Sequence, residues 1–268
     1  MRTIKKVASH IFIDGFGGMT QGLFATLIIG TMIQQIGLLI GGSTGNVIYL
    51  LGKAAAALTS AGIGVGVAVK YGESPLVTVS AAVAAMVGGY AGKITGGTFF
   101  MDGNAVLAGP GEPLGAFIAA FAGITCGHLV SGKTKVDIIV TPVITIGAGS
   151  VVGLLVGPPI SQMMTGLGSI INWATEQRPF IMGIVVSVVM GMVLTLPISS
   201  AALGIILNLS GLAAGAATIG CCCNMVGFAV ASYRENKFGG LVAQGLGTSM
   251  LQVPNIMRHP LIWLPLIF

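Results

Sequence analysis

The stretch Gly17-Gly-Met-Thr-Gln-Gly-Leu-Phe-Ala-Thr-Leu-Ile-Ile-Gly-Thr-Met-Ile-Gln-Gln-Ile-Gly-Leu-Leu-Ile40 decides the fold class. It holds no charge, and none occurs anywhere between Asp14 and Lys53. At ~1.5 Å per residue a helix over it covers the ~30 Å hydrocarbon core of a bilayer. The rest of the chain is of the same kind. Of 268 residues, 54% are hydrophobic, 7% are charged and 43 are glycine, and the mean hydropathy is +0.97. A soluble domain carries roughly 25% charged residues, so 12 Lys+Arg and 7 Asp+Glu cannot cover a 27.0 kDa globule. An ordinary soluble enzyme is excluded. Apolar content excludes disorder, and the glycines lack the strict three-residue period of collagen. The sequence predicts an all-α, polytopic membrane protein with about seven to nine transmembrane helices plus re-entrant or broken segments.

The formal charge of +5 is gathered in short clusters between long neutral runs, the pattern of loops flanking spans, with positive charge on the cytoplasmic side. Nothing resembles a basic face with aromatic readers, so nucleic acid is not an expected partner. The start of the chain is basic (Arg2, Lys5, Lys6), and the apolar stretch after it is too long for a signal peptide. The N-terminus is therefore expected in the cytoplasm. Cys126 and the run Cys221, Cys222, Cys223 form neither a CxxC nor a disulfide ladder and read as small packing residues.

Outward from span one, Gly41 to Gly45 reads as a turn, Ala54 to Val69 as a short second span and Leu76 to Gly92 as a small-residue-rich third. Lys93 to Pro113, with Asp102, Asn104 and Gly109-Pro-Gly-Glu-Pro113, reads as a loop or re-entrant element. Leu114 to Val130 is a fourth span, followed by a basic turn at Ser131 to Asp137. Ile138 to Val156 is a fifth, ended by Gly157-Pro158-Pro159, and Ile160 to Ala174 is a separate short segment, interfacial or a thin crossing. Phe180 to Tyr233 is free of charge and has room for two spans, broken at Leu196-Pro-Ile-Ser-Ser200. Gly239 to Pro254 is short and polar-dotted, and Leu261 to Phe268 opens a further apolar element. Two faint internal echoes pair Phe16–Leu23 with Phe238–Leu246 and Val65–Glu73 with Val226–Glu235; transporters often carry such repeats.

Glu112 is the leading candidate for function. A carboxylate between helix breakers at the mouth of a span belongs where irregular backbone lines a cavity, and ionisable groups at membrane depth default to function. The competing reading makes Glu112 a cap for the following helix. Asn208, Asn224, Gln244, Thr248, Ser249, Gln252 and Asn255 are neutral hydrogen-bonding groups in apolar segments. Amides and hydroxyls suit a sugar-like solute, while interhelical hydrogen bonds are the alternative. The cluster from Gln244 to Asn255, ending by Pro254, looks like a broken helix. Glu112, Pro113, Asn104, Asn224, Gln244, Thr248, Ser249, Gln252 and Asn255 are thus the expected substrate-binding set. Gly127-His-Leu-Val-Ser-Gly-Lys-Thr134 matches the P-loop pattern literally, but spans flank it where a P-loop needs a strand and a soluble helix. No spacing suggests a metal site, a catalytic set or a cofactor.

Several long strings resemble the membrane IIC-like proteins of the phosphoenolpyruvate-dependent sugar phosphotransferase system, in the branch labelled perfringolysin O regulator. They are Gly109-Pro-Gly-Glu-Pro-Leu-Gly-Ala-Phe117, Thr134-Lys-Val-Asp-Ile-Ile-Val-Thr-Pro142, Val156-Gly-Pro-Pro159, Leu194-Thr-Leu-Pro-Ile-Ser-Ser-Ala-Ala-Leu203 and Gly239-Gly-Leu-Val-Ala-Gln-Gly-Leu-Gly-Thr-Ser-Met-Leu-Gln252. The resemblance implies one membrane-embedded domain over residues 1–268 that lacks the family's final span or spans. It implies an inner-membrane permease that moves a small polar solute such as a sugar or sugar derivative, by an elevator-like shift against a dimerising scaffold. Any phosphorylation falls to separate soluble subunits, so the chain itself is not expected to be an enzyme. In relatives a Gly-x-x-Glu-Pro-like string carries a sugar-binding glutamate; Glu112-Pro113 is the nearest match, though the residues before it depart from that pattern. A transporter of a non-sugar metabolite with no phosphorylating partner, or a ligand-sensing membrane regulator, are the rival expectations.

Overall fold

The computed structural model describes residues 14–101, 103–107, 109–195, 209 and 211–263. The basic start of the chain, Asp102, the expected break at 196–200, Asn208 and the terminal residues 264–268 lie outside them. The described chain is helical apart from one two-stranded hairpin, β1 (Phe100–Met101) paired antiparallel with β2 (Asn104–Ala105). It divides into two compact units, Met1–Ser161 and Gln162–Phe268.

In the first unit α1 (Phe16–Ile40) is one span with a π-helical turn at Phe24–Ile28. Met19, Leu23, Leu27, Gly30 and Gly37 recur at three-, four- and seven-residue intervals and are buried on one face. Gly41, at φ 66°, ends it. The expected glycine-rich turn proves much shorter than 41–45, because the chain re-enters helix at once as α2 (Gly42–Ala57). Only a residue free to take positive φ is needed to reverse the chain, and small Ser43, Thr44 and Gly45 then let α2 lie against α1; a Cβ on Gly45 would press on the Gly37 carbonyl oxygen. At Leu58 the helix bends by 53° into α3 (Thr59–Lys70).

Ser74 caps α4 (Pro75–Gly89), with proline in its first turn where no N–H is needed. Tyr90 breaks α4 from the short α5 (Ala91–Thr95). The hairpin and the Gly109–Glu112 loop lead to α6 (Pro113–Val130). Small residues set the spacing here: Cβ atoms on Gly115 and Gly88 would each meet the other's carbonyl, and one on Gly123 would meet that of Thr145.

α7 (Asp137–Gln177) is a single helix of 41 residues. It corrects two expectations: Gly157-Pro158-Pro159 does not end it, and residues 160–174 are not a separate element. Proline removes one donor and frees one carbonyl, a loss that neighbouring helices make tolerable in membranes. Gly153 and Gly157 lie against Gly88 and Ala91, holding the proline-bearing stretch to the α4–α5 break.

The second unit adds α8 (Pro179–Thr195), α9 (Gly211–Ala231) and α10 (Tyr233–Val242). A π-helical turn (Ala243–Gly247), a 3-10 turn (Ser249–Gln252), α11 (Val253–Arg258) and a last 3-10 turn (Pro260–Trp263) follow. The expected broken helix around 239–254 is therefore present, interrupted at extended Thr248 (φ −163°). In each unit one copy of the first sequence echo runs into a π turn and packs on the helix carrying the second. Gly18 sits against Gly66 in the first unit and Gly245 against Ala229 in the other, with the chain order of the partners reversed.

Among the described residues, four helices are long and apolar enough to cross a membrane, or five if the bent α2–α3 pair is one span, and α4 and α8 are shorter apolar helices. Leu39, Leu155 and Phe180 are 86%, 70% and 82% exposed. Such surface is tenable only against lipid or another apolar partner. The chain is an all-α polytopic membrane protein.

Candidate functional site

Within the first unit, two helix breaks and one loop meet. Bending at Leu58 strands the carbonyl of Ala57, and the end of α4 strands that of Gly89; orphan carbonyls away from water need donors. The single proton of the Tyr90 hydroxyl is shared between the Gly109 carbonyl and, at 3.2 Å, that of Ala57. The Glu112 N–H donates to Gly89 at 2.7 Å, and the Ser60 hydroxyl donates to Pro110 at 3.1 Å. Gly111 holds φ 76°, and a Cβ there would meet Ser60 Oγ at 2.5 Å and the Gly89 carbonyl at 3.1 Å. This position demands glycine on both counts.

The loop delivers Glu112, which is 8% exposed, to the N-terminus of α6. Its Oε1 accepts the Leu114 N–H at 3.3 Å. Its Oε2 is buried and, among the described residues, has no hydrogen-bond partner. The capping reading and the site reading thus apply to different oxygens of one carboxylate. Glu112 precedes the spanning helix; burial pushes its carboxyl above the ordinary carboxylate range, and the Leu114 N–H pulls the other way.

One end of this unit gathers the charged turns. His128 Nδ1 lies 2.9 Å from Glu73 Oε1, Ser74 Oγ is 3.0 Å from Ser131 Oγ, and a Cβ on Gly17, at the start of α1, would lie 3.8 Å from Lys70 Cε. In the nearby turn Tyr71 is pushed up to about 12 by burial and the Asp14 carboxylate. The P-loop-like string forms a turn there whose donors are engaged: Gly132 N–H donates to Asp137 Oδ1 at 2.9 Å, and Lys133 Nζ donates to the Leu129 carbonyl at 2.7 Å. From that end, α3 (12 residues) and α6 (18 residues) rise about 18 and 27 Å to the loop. Glu112 therefore stands well in from the charged end, at a depth comparable with a bilayer's core.

The second unit holds a chain of amides. Gln244 Nε2 donates to Ser232 Oγ at 2.9 Å, Gln252 Nε2 to Gln244 Oε1 at 3.0 Å, and Asn255 Nδ2 to Gln252 Oε1 at 2.8 Å. Thr248 Oγ1 caps the 3-10 turn by accepting the Met250 N–H at 3.1 Å. These residues knit the broken helix together, as interhelical bonding would. Asn224 differs. It is 2% exposed on α9, facing Gly191 of α8, and neither its Nδ2 nor its Oδ1 has a partner among the described residues. Ser249 Oγ is also buried and unpartnered among them.

Of the expected substrate-binding set, Glu112 and Pro113 are buried in the first unit, while Asn104 stands exposed on β2. Asn224, Gln244, Thr248, Ser249, Gln252 and Asn255 belong to the second. Sequence reading missed Ser60 and Tyr90, both 0% exposed. The signal was present: Tyr90 is the one aromatic residue in the small-residue run from Leu76 to Gly92, and a buried phenol needs a partner.

Searches of curated proteins and of solved structures found no match. Residues 13–268 match the family described as "Phosphotransferase system, EIIC", a match that runs through both units. The chain belongs to that family and is a membrane permease component of the phosphotransferase system.

Proposed function

We propose that this permease moves a sugar or sugar derivative across the bacterial inner membrane by elevator-type alternating access. It works as a homodimer with its N-terminus in the cytoplasm and leaves phosphorylation to soluble subunits. The observation that carries the reading is Glu112: a buried carboxylate held by a loop between two helix breaks, with one oxygen capping a helix and the other free to accept from a solute hydroxyl. Asn224, with both amide atoms unpartnered, and Ser249 are the groups of the second unit best suited to polyhydroxyl recognition. Gln244, Thr248, Gln252 and Asn255 support the segment that carries Ser249; Pro113 sets the start of α6. Asn104, exposed on its hairpin, contributes least.

The test is uptake into liposomes loaded with purified protein, using labelled hexoses, hexitols and their phosphates beside organic acids. A member of the sugar group should enter and equilibrate. Glu112→Gln should weaken its half-saturation about tenfold or more, since a hydrogen bond to a charged group contributes ~1.5–3 kcal/mol. Uptake confined to the acids, or indifferent to Glu112→Gln, would overturn the proposal.

A further inference from the structure

The geometry points to Tyr90 and Ser60 as positioning residues that hold the Glu112 carboxylate in place by clamping the backbone of its loop to two helix breaks. The inference rests on the reading of Glu112 as the solute-binding carboxylate and adds to it how that carboxylate is aimed.

The loop has no regular structure between Gly109 and Glu112, and Gly109 and Gly111 both hold positive φ. Two glycines flanking Pro110 give a backbone that would otherwise sample many conformations. What fixes it is a row of hydrogen bonds at successive residues: Tyr90 OH to the Gly109 carbonyl, Ser60 Oγ to Pro110 and the Glu112 N–H to Gly89. The one proton of the Tyr90 hydroxyl is shared with the Ala57 carbonyl, so the same group links the loop to the α2–α3 bend. Ser60 lies in the first turn of α3, two residues beyond that bend, and a Cβ on Gly89 would meet its side chain. Both hydroxyls are fully buried, so losing either leaves a carbonyl with no solvent to replace it. Among the described residues nothing comparable holds the carboxylate itself, whose side chain makes one 3.3 Å bond there. Its aim is thus inherited from the backbone, and the backbone's from Tyr90 and Ser60.

The titratable groups on the elements that meet here include Tyr90 and Lys93, whose Nζ lies 5.4 Å from the Tyr90 ring centroid, while α2 also carries Tyr49 and α6 Cys126. Lys53 is exposed on α2, and Lys70 and His128 stand at the far ends of α3 and α6.

The experiment is an infrared titration of the Glu112 carboxyl in the full chain with no solute present. Spectra of each protein are differenced against the same protein carrying Glu112→Gln. In the wild type the protonated band should persist above the ordinary carboxyl range. Tyr90→Phe, which keeps the ring and deletes only the hydroxyl, should free the loop, admit water and lower the midpoint by about one pH unit or more. Ser60→Ala should act in the same direction, and Ser60→Thr, which restores a hydroxyl, should return the midpoint. Ser60→Ala decides the matter if Tyr90→Phe does not fold. A residue that merely stabilised the helices would lower the melting temperature and leave the midpoint of the folded protein unchanged. That result, or a wild-type midpoint in the ordinary range, overturns the inference. Because no solute enters the measurement, a shifted midpoint beside uptake indifferent to Glu112→Gln would sink the solute reading and leave the clamp standing.

Discussion

Glu112 divides its two oxygens between a helix and an empty acceptor position, and that division has a thermodynamic signature. Since burial holds the folded carboxyl above its ordinary range, the native state keeps the proton more tightly than the unfolded chain does. The stability this group contributes is full below the unfolded value, and it declines as pH rises towards and through the folded one. Glu112→Gln cannot ionise. Its melting temperature in detergent should fall less than that of the wild type as pH is raised from about 4, the ordinary carboxyl range, towards neutrality. Parallel curves for the two proteins would show a carboxyl in water. At this scale the sequence told much about Glu112 and little about what holds it: helix breakers around an acid are visible in one dimension, whereas Ser60 and Tyr90 reach the loop from 50 and 19 residues away.

At the scale of elements, glycine does the work that large side chains do in soluble cores. α1 meets α3 so closely that a Cβ on Gly18 would fall 2.6 Å from the Gly66 carbonyl oxygen and 2.7 Å from Val67 Cα. Both are backbone atoms with no room to yield. Gly18→Val should therefore destabilise the protein by ~1–3 kcal/mol, the usual cost of overpacking, read as a lower melting temperature in detergent; Gly147→Ala, whose Cβ meets nothing, is the control. In the second unit the corresponding dependence is polar. Gln244→Leu strands the Gln252 amide N–H and removes a donor from Ser232 Oγ, which keeps its own bond to the Ala229 carbonyl; a buried orphan costs ~1–3 kcal/mol. Replacing Gln252 by Leu as well should recover part of the loss, because an apolar pair leaves fewer groups unmet. Most span ends were legible because charge is so scarce that its clusters mark turns, although Lys53 falls inside α2 and the second helical stretch starts at Gly42, well before the expected Ala54. The continuity of α7 through Pro158 and Pro159 was not, since whether a proline ends a helix depends on what receives the freed carbonyl and how near its neighbours lie, neither of which is local in sequence.

For the molecule as a whole, orientation is the property that joins the site to its proposed task. The His128–Glu73 and Ser74–Ser131 contacts, with Gly17 beside Lys70, put the start of α1, the α3–α4 turn and the α6–α7 turn at one end of the first unit. Lys70, Lys133 and Lys135 lie there, and a cluster of that sign belongs on the cytoplasmic side. Gly41, where α1 turns back into α2, falls at the opposite end. The Glu112 loop lies between the two, reached from the basic end along α3 and α6. This arrangement predicts a labelling pattern in cells for single cysteines placed in a chain whose four native cysteines are replaced by serine or alanine. Thr134→Cys and Lys135→Cys, both exposed, should react with a membrane-impermeant maleimide only after the membrane is opened, whereas Ser43→Cys, also exposed, should react in intact cells. If the two sets exchange places, the basic end faces outward and the proposed cytoplasmic N-terminus is overturned. The proposed soluble subunits would reach the permease from the cytoplasm only, so the sidedness of these turns fixes which end of the first unit such partners could meet, and that is a property no single substitution in the loop reads.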